Sequence, residues 1–116
     1  MNLSKEIRAL GGSSLLNCDV AEDLYHGKAD RYLVYTFDNE EPEVAGDNEV
    51  LIENATVQIS YYVPEKYNYN TDNETIKSYL RSNDYYIESL TVMLDEADIV
   101  DDKYVRRLLF IVQKAA

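Results

Sequence analysis

Asn54-Ala55-Thr56-Val57-Gln58-Ile59-Ser60-Tyr61-Tyr62-Val63 places apolar residues at the odd positions from Ala55 to Val63 and polar ones at Thr56, Gln58 and Ser60. A period of two over this length predicts a β-strand with one face on a core and the other on water or a partner. Tyr62 puts an aromatic ring on the polar side. A parallel strand covered on both faces would be continuously apolar, so the alternation predicts the central strand of an antiparallel sheet. Pro64 closes the strand, because proline has no N–H to donate to a ladder.

The neighbouring segments build on that strand. Leu3, Ile7 and Leu10 recur at helical spacing, which predicts a short helix capped by Asn2 or Ser4 and ended by a left-handed residue at Gly11-Gly12. Ser13 to Val20 is open between a further helical turn and a loop packed under the sheet, with Leu15 and Leu16 buried in either case. Tyr25-His26-Gly27 is a short extended piece ending in a turn. Tyr32 to Phe37 is a strand by its aromatic and β-branched content. Asp38 to Asn48 is an acidic solvated loop holding Pro42 and Gly46. Val50 and Ile52 are out of phase with the odd-numbered apolar set, as a β-bulge at Glu53-Asn54 would produce or as a continued loop would allow.

Thr71-Asp72-Asn73-Glu74 has the Thr-x-x-Glu form of a capping box and predicts a helix with Ile76, Tyr79 and Leu80 on one face, ending near Asn83. Ser89 to Leu94 and Val105 to Val112 are the last two strands, with a turn at Asp101-Asp102. The register of this hairpin is ambiguous, but either choice brings Arg106 or Arg107 near acids of the facing strand. The order helix-strand-strand-helix-strand-strand predicts a single α+β domain over residues 1–116. Its four-stranded sheet is antiparallel or mixed, with the helices packed on one face.

The 116 residues suffice for a hydrophobic core without metal or disulfide staples. A formal net charge of -11, from 22 acidic and 11 basic residues, disfavours direct affinity for nucleic acid, since phosphate binding draws on Lys and Arg. It also disfavours anionic membrane surfaces. One cysteine, Cys18, excludes an intramolecular disulfide and suits a reducing compartment. The amino-terminal segment lacks a signal peptide's apolar core, and no run is apolar and long enough to span a bilayer. A soluble, intracellular protein is expected. Eleven tyrosines beside two phenylalanines and no tryptophan suit either half-exposed core rings or an interface, because tyrosine joins an apolar body to a polar tip.

Catalytic chemistry is hard to place. His26 stands alone, without the imidazole or thiolate companions of a zinc site. Cys18 sits beside Asp19, whose charge should raise the thiol pKa, so a structural role is expected. There is no glycine-rich phosphate loop and no glycine-flanked nucleophilic serine. Asp95, Glu96, Asp98, Asp101 and Asp102 can in principle collect Ca²⁺ or Mg²⁺, but their spacing departs from the Asp-x-Asp-x-Asp-Gly calcium loop, and a solvated hairpin is the preferred account because charge runs are usually exposed. Glu40-Glu41-Pro42-Glu43 is read the same way. The expectation is a protein without cofactor or metal that is not an enzyme.

Asp23-Leu24-Tyr25-His26-Gly27 followed by Tyr32-Leu33-Val34-Tyr35 resembles the signature of tail-terminator and tail-completion proteins of long-tailed phages and prophages. In that family a short helical segment leads to an Asp-x-Tyr-x-Gly-type turn and then a Tyr-x-Val-Tyr strand. The later order is similar too: a strand like Val57-Gln58-Ile59-Ser60, a capped helix, an acidic strand, and a last strand like Arg107-Leu108-Leu109-Phe110-Ile111. The resemblance spans nearly the whole chain through short motifs, and Lys28-Ala29-Asp30 lacks the proline usual near the family's turn. Minor tail and head-closure proteins share the pattern.

The resemblance implies a virion structural protein, assembled in the host cytoplasm as a ring, commonly a hexamer, that meets tail-tube and head-closure proteins. Contacts between copies would then use Tyr32, Tyr35, Tyr61 and Tyr62, with Glu40, Glu41 and Glu43 in a loop that orders on assembly. An acidic channel lining would let DNA slide past. The competing class is a small acidic binding protein, such as a DNA mimic or an inhibitor of a basic enzyme, which needs carboxylates spaced over one face.

Overall fold

The computed structural model describes residues 3–38, 43–44, 50–51, 54–98 and 103–115, with the backbone alone at 43–44, 50–51, 54, 96–98, 103 and 115. The rhythm of the central segment is realised as strand β5 (Asn54–Pro64), third in a five-stranded sheet. In chain order the elements before it are α1 (Leu3–Arg8), a 3₁₀ turn (Ala9–Gly11), β1 (Asp19–Glu22), β2 (Tyr32–Phe37), β3 (Glu43–Val44) and β4 (Val50–Leu51). After it come α2 (Asn70–Ser82), β6 (Tyr85–Asp98) and β7 (Lys103–Ala115). The sheet runs β1-β2-β5-β7-β6, while β3 and β4 pair only with each other.

The domain is α+β, as expected, but its sheet has five strands rather than four. The addition is β1, which pairs parallel to β2 while the other pairings are antiparallel, so the sheet is mixed. Ser13 to Val20 therefore contains neither a further helix nor a buried loop alone; it enters an edge strand. Leu16 is buried, whereas Leu15 is only partly so. Gly11 makes this route possible for a steric reason. A Cβ there would lie 2.5 Å from the Cys18 carbonyl oxygen and from Val20 Cγ2. Neither Gly11 nor Gly12 is left-handed; that conformation falls on Asn17, at φ 51°.

Register assigns each strand residue to a face. Leu33, Tyr61, Leu108 and Val92 form one cross-sheet row, Tyr35, Ile59, Phe110 and Leu90 a second, and Phe37, Val57, Val112 and Ile87 a third. Ile7 and Leu10 from the amino-terminal segment and Ile76 and Leu80 from α2 pack on these rows to make one core. Both helices thus cover the same face of the sheet. Each fully buried aliphatic side chain there stabilises the fold by about 1.5–3 kcal/mol relative to exposure.

The second helix begins differently from its sequence signature. Tyr69 is the N-cap and makes no side-chain cap bond, and Thr71 lies inside the helix, so no capping box forms. Instead, Asn68 Oδ1 accepts a hydrogen bond from the Asn70 N–H at 3.1 Å. Asp72, in the first turn, is drawn into a tertiary network. The helix ends at Asn83 as expected, with Asp84 at φ 65° turning the chain into β6. The last two strands extend beyond their expected limits, and β6 carries irregularities at Ile87/Ser89 and Glu96/Asp98. The proposed cap at Asn2, the phase shift at Glu53 and the turn at Asp101-Asp102 lie outside the described residues.

Candidate functional site

The opposite face of the sheet carries no described helix. Its three rows are Tyr32, Tyr62, Arg107 and Met93; Val34, Ser60, Leu109 and Thr91; and Thr36, Gln58, Ile111 and Ser89. β1 continues the first row with Asp19 and the second with Ala21, and Asp95 follows Met93 on the same face, so the charged residues here are Arg107, Asp19 and Asp95 in a chain of which 28% is charged. Val34, Leu109, Ile111 and Met93 are only partly buried. Among the described residues, packing leaves this face half-finished.

Aromatic rings line one end of it. Tyr25 stacks on Tyr32 with centroids 4.1 Å apart and planes 16° apart, and Tyr32 stacks on Tyr62 at 4.8 Å and 19°. The Arg107 guanidinium continues the row, 5.6 Å from the Tyr62 centroid. It donates through Nε to Ser60 Oγ at 3.0 Å and pairs with Asp95 at 3.7 Å. These contacts hold the guanidinium and the rings in one arrangement. Burial pushes the Tyr32 phenol above its usual range, with the neighbouring tyrosines adding to the shift.

Tyr25 reaches this row from the irregular segment between β1 and β2. Its hydroxyl donates to Asp19 Oδ2 at 2.6 Å and accepts from the Ala29 N–H at 3.0 Å. The ring lies against Gly27, where a Cβ would fall 2.2 Å from the phenolic oxygen. Gly27 is therefore demanded by ring proximity rather than by positive φ. His26 is exposed.

The seven residues expected at an interface separate. Tyr32 and Tyr62 come together on the uncovered face. Tyr35 and Tyr61 point into the core with no exposed surface and have none to offer a partner. Their parity explains the correction: each shares a face with Ile59, Phe110 or Leu108, not with Tyr62. Glu40 and Glu41 lie outside the described residues, and Glu43 is described only as backbone paired with Leu51. Tyr25 and Met93 were not anticipated on this face, whereas the expected approach of Arg106 or Arg107 to acids of the facing strand is realised by Arg107 and Asp95. Arg107 could have been placed from its odd position next to the even-numbered apolar set Leu108, Phe110 and Val112.

The two core tyrosines anchor polar networks instead. The Tyr61 hydroxyl donates to Asp72 Oδ2 at 2.6 Å and accepts from Arg31 Nη1 at 2.8 Å, while the Tyr67 hydroxyl also donates to Asp72 Oδ2, at 2.7 Å. Arg31 further donates to the Leu16 carbonyl at 3.1 Å. This cluster ties the segment before β1 to β5 and the start of α2. Burial, reinforced by the Asp72 bond, pushes the Tyr61 phenol far above its usual range. The Tyr35 hydroxyl hydrogen-bonds Ser4.

Cys18 is half-buried, and its thiol is pushed up to about 11, chiefly by burial, with Asp72 and Asp19 adding to the rise and Arg31 opposing it. Such a thiol is a poor nucleophile at neutral pH. Of the hairpin acids considered for a cation, only Asp95 has a described side chain, and it is engaged by Arg107. Among the described residues no three His, Cys, Asp or Glu side chains gather as a metal site, and no helix is long and apolar enough to cross a membrane. Comparison of the chain with protein-family models and with curated proteins finds no match.

Proposed function

We propose that this chain is a self-assembling structural protein of the tail-terminator or tail-completion type, whose copies meet through the uncovered sheet face and join tail-tube and head-closure proteins. The observation that carries the assembly role is the charge-poor face itself. In a chain of net charge -11, a sheet surface whose Arg107 is paired with Asp95, whose Asp19 is held at its β1 edge by Tyr25, and which otherwise bears stacked tyrosines, Met93 and aliphatic side chains has the composition of an interface centre. The phage assignment rests on the motif resemblance at Asp23–Gly27 and Tyr32–Tyr35. A ring built from acidic subunits would also present DNA with a repelling surface.

An acidic protein that occupies a basic cleft would need carboxylates spread over its contact face. The described carboxylates on the uncovered face, Asp19 and Asp95, are already engaged by Tyr25 and Arg107. The direct test is electron microscopy of particles from a genome in which the coding sequence is deleted. Overlong tails or tails unattached to heads are expected. Normal, infective particles would overturn the assignment.

A further inference from the structure

We propose that the free edge of β6 pairs with the β6 edge of a second copy, in antiparallel register about Thr91. This contact uses the backbone edge of β6, although the side chains of Ser89, Thr91 and Met93 also belong to the uncovered face. It extends the self-assembly reading, and a Tyr62→Glu arm in its test separates it from that face.

β6 is an outermost strand of the sheet and pairs only with β7 among the described residues. Natural edge strands are commonly short or protected by Lys, Pro or irregularities, because unpaired N–H and C=O groups template association. β6 runs from Tyr85 to Asp98 without a lysine or proline, and Ser89 to Leu94 carries no charge. Its irregularities lie on either side of this stretch, at Ile87/Ser89 and Glu96/Asp98, leaving the middle regular. Four large apolar or aromatic residues are conspicuously exposed in the described chain. Three are on this strand: Tyr86 at 69%, Val92 at 39% and Leu94 at 44%.

The second copy is singled out as occupant by charge and by register. A strongly charged partner finds no complementary charge between Ser89 and Leu94, whereas two chains of net charge -11 can approach closely only where each is neutral. Continuing one sheet through a two-fold axis requires residues on the same face to stand opposite each other. Centring the axis on Thr91 meets that condition. Thr91 faces its own copy, Ser89 faces Met93 and Leu90 faces Val92, so no carboxylate meets another within this stretch, and Glu88 at the irregularity accepts a hydrogen bond from Gln113 at 3.3 Å. Val92 and Leu94 gain cover that the described residues do not give them. The short paired stretch makes the contact weak at low salt, and added salt strengthens it by screening the net charge.

Thr91→Cys and Ser89→Cys, each in a Cys18→Ser background, test the register under mild oxidation. Opposed strand residues lie within disulfide reach. Thr91→Cys is expected to form disulfide-linked dimers, Ser89→Cys alone to stay monomeric, and Ser89→Cys mixed with Met93→Cys to form heterodimers. A Val92→Lys chain, altered on the opposite side of the edge strand from the uncovered face and checked for folding by circular dichroism, loses the salt-promoted dimer in sedimentation velocity. Equal cross-linking of Thr91→Cys and Ser89→Cys, or none by either, overturns the proposal. Adding Tyr62→Glu on the uncovered face leaves Thr91→Cys cross-linking unchanged, so failure of the edge contact and failure of the face reading are told apart.

Discussion

Lys114 donates from Nζ to Glu6 Oε1 at 2.7 Å, joining the first helix to the last strand across 108 positions of sequence. Lys114 is almost completely buried, and its ammonium also lies 4.8 Å from the centroid of the Tyr85 ring. A charge held this way cannot lose its partner cheaply. Glu6→Gln is expected to cost about 3 kcal/mol, the lower end for a broken buried pair, because Glu6 keeps some exposure. Replacing both residues, as Glu6→Leu with Lys114→Met, should cost less than the sum of the single changes. Urea denaturation of the four proteins in a double-mutant cycle checks both statements.

The raised Tyr61 pKa makes stability depend on alkaline pH. A folded-state value above the unfolded 10.0 means that the neutral phenol belongs to the native state. Its contribution is whole below pH 10 and is lost as pH rises further, by up to about 1.4 kcal/mol per pH unit for one phenol. The Tyr85 phenol, raised mainly by burial, adds in the same direction. Denaturation between pH 8 and 11.5 should show stability falling above pH 10. Tyr61→Phe should lower stability at pH 8 by about 1 kcal/mol through its lost hydrogen bonds, and flatten the alkaline slope. An unchanged slope would remove Tyr61 from this role.

Gly11→Ala is expected to destabilise the fold by about 1–3 kcal/mol, the usual cost of forcing atoms into filled space. The added methyl would meet backbone at Cys18, which cannot rotate away. Gly12→Ala meets only the Ala9 carbonyl oxygen, at 3.2 Å, and should be milder. Thermal unfolding of the two variants side by side measures the difference.

The central strand was legible because its rhythm reports one local fact, which side each residue faces. The same parity separated Tyr61 from Tyr62, yet tyrosine's dual character drew both toward an interface reading. β1 was not legible. Asp19-Val20-Ala21-Glu22 is too short for periodicity, and its place beside β2 depends on contacts with distant parts of the chain. The start of α2 misled for a related reason: Asp72 is spent on Tyr61, Tyr67 and Arg31, a tertiary demand that local capping patterns do not encode. The uncovered face was visible only in half, through Tyr32 and Tyr62. Its charge depletion emerges once four strands are laid in register.

Association through that face is tested most directly by sedimentation velocity on the wild-type chain and Tyr62→Glu, over a range of concentration and salt. Tyr62 is partly exposed and outside the core, so the variant should remain folded while a carboxylate enters the stacked row. The wild-type chain should populate species larger than a dimer as concentration rises, and Tyr62→Glu should lose them. Identical distributions for the two proteins, or a wild-type monomer throughout, would contradict the account.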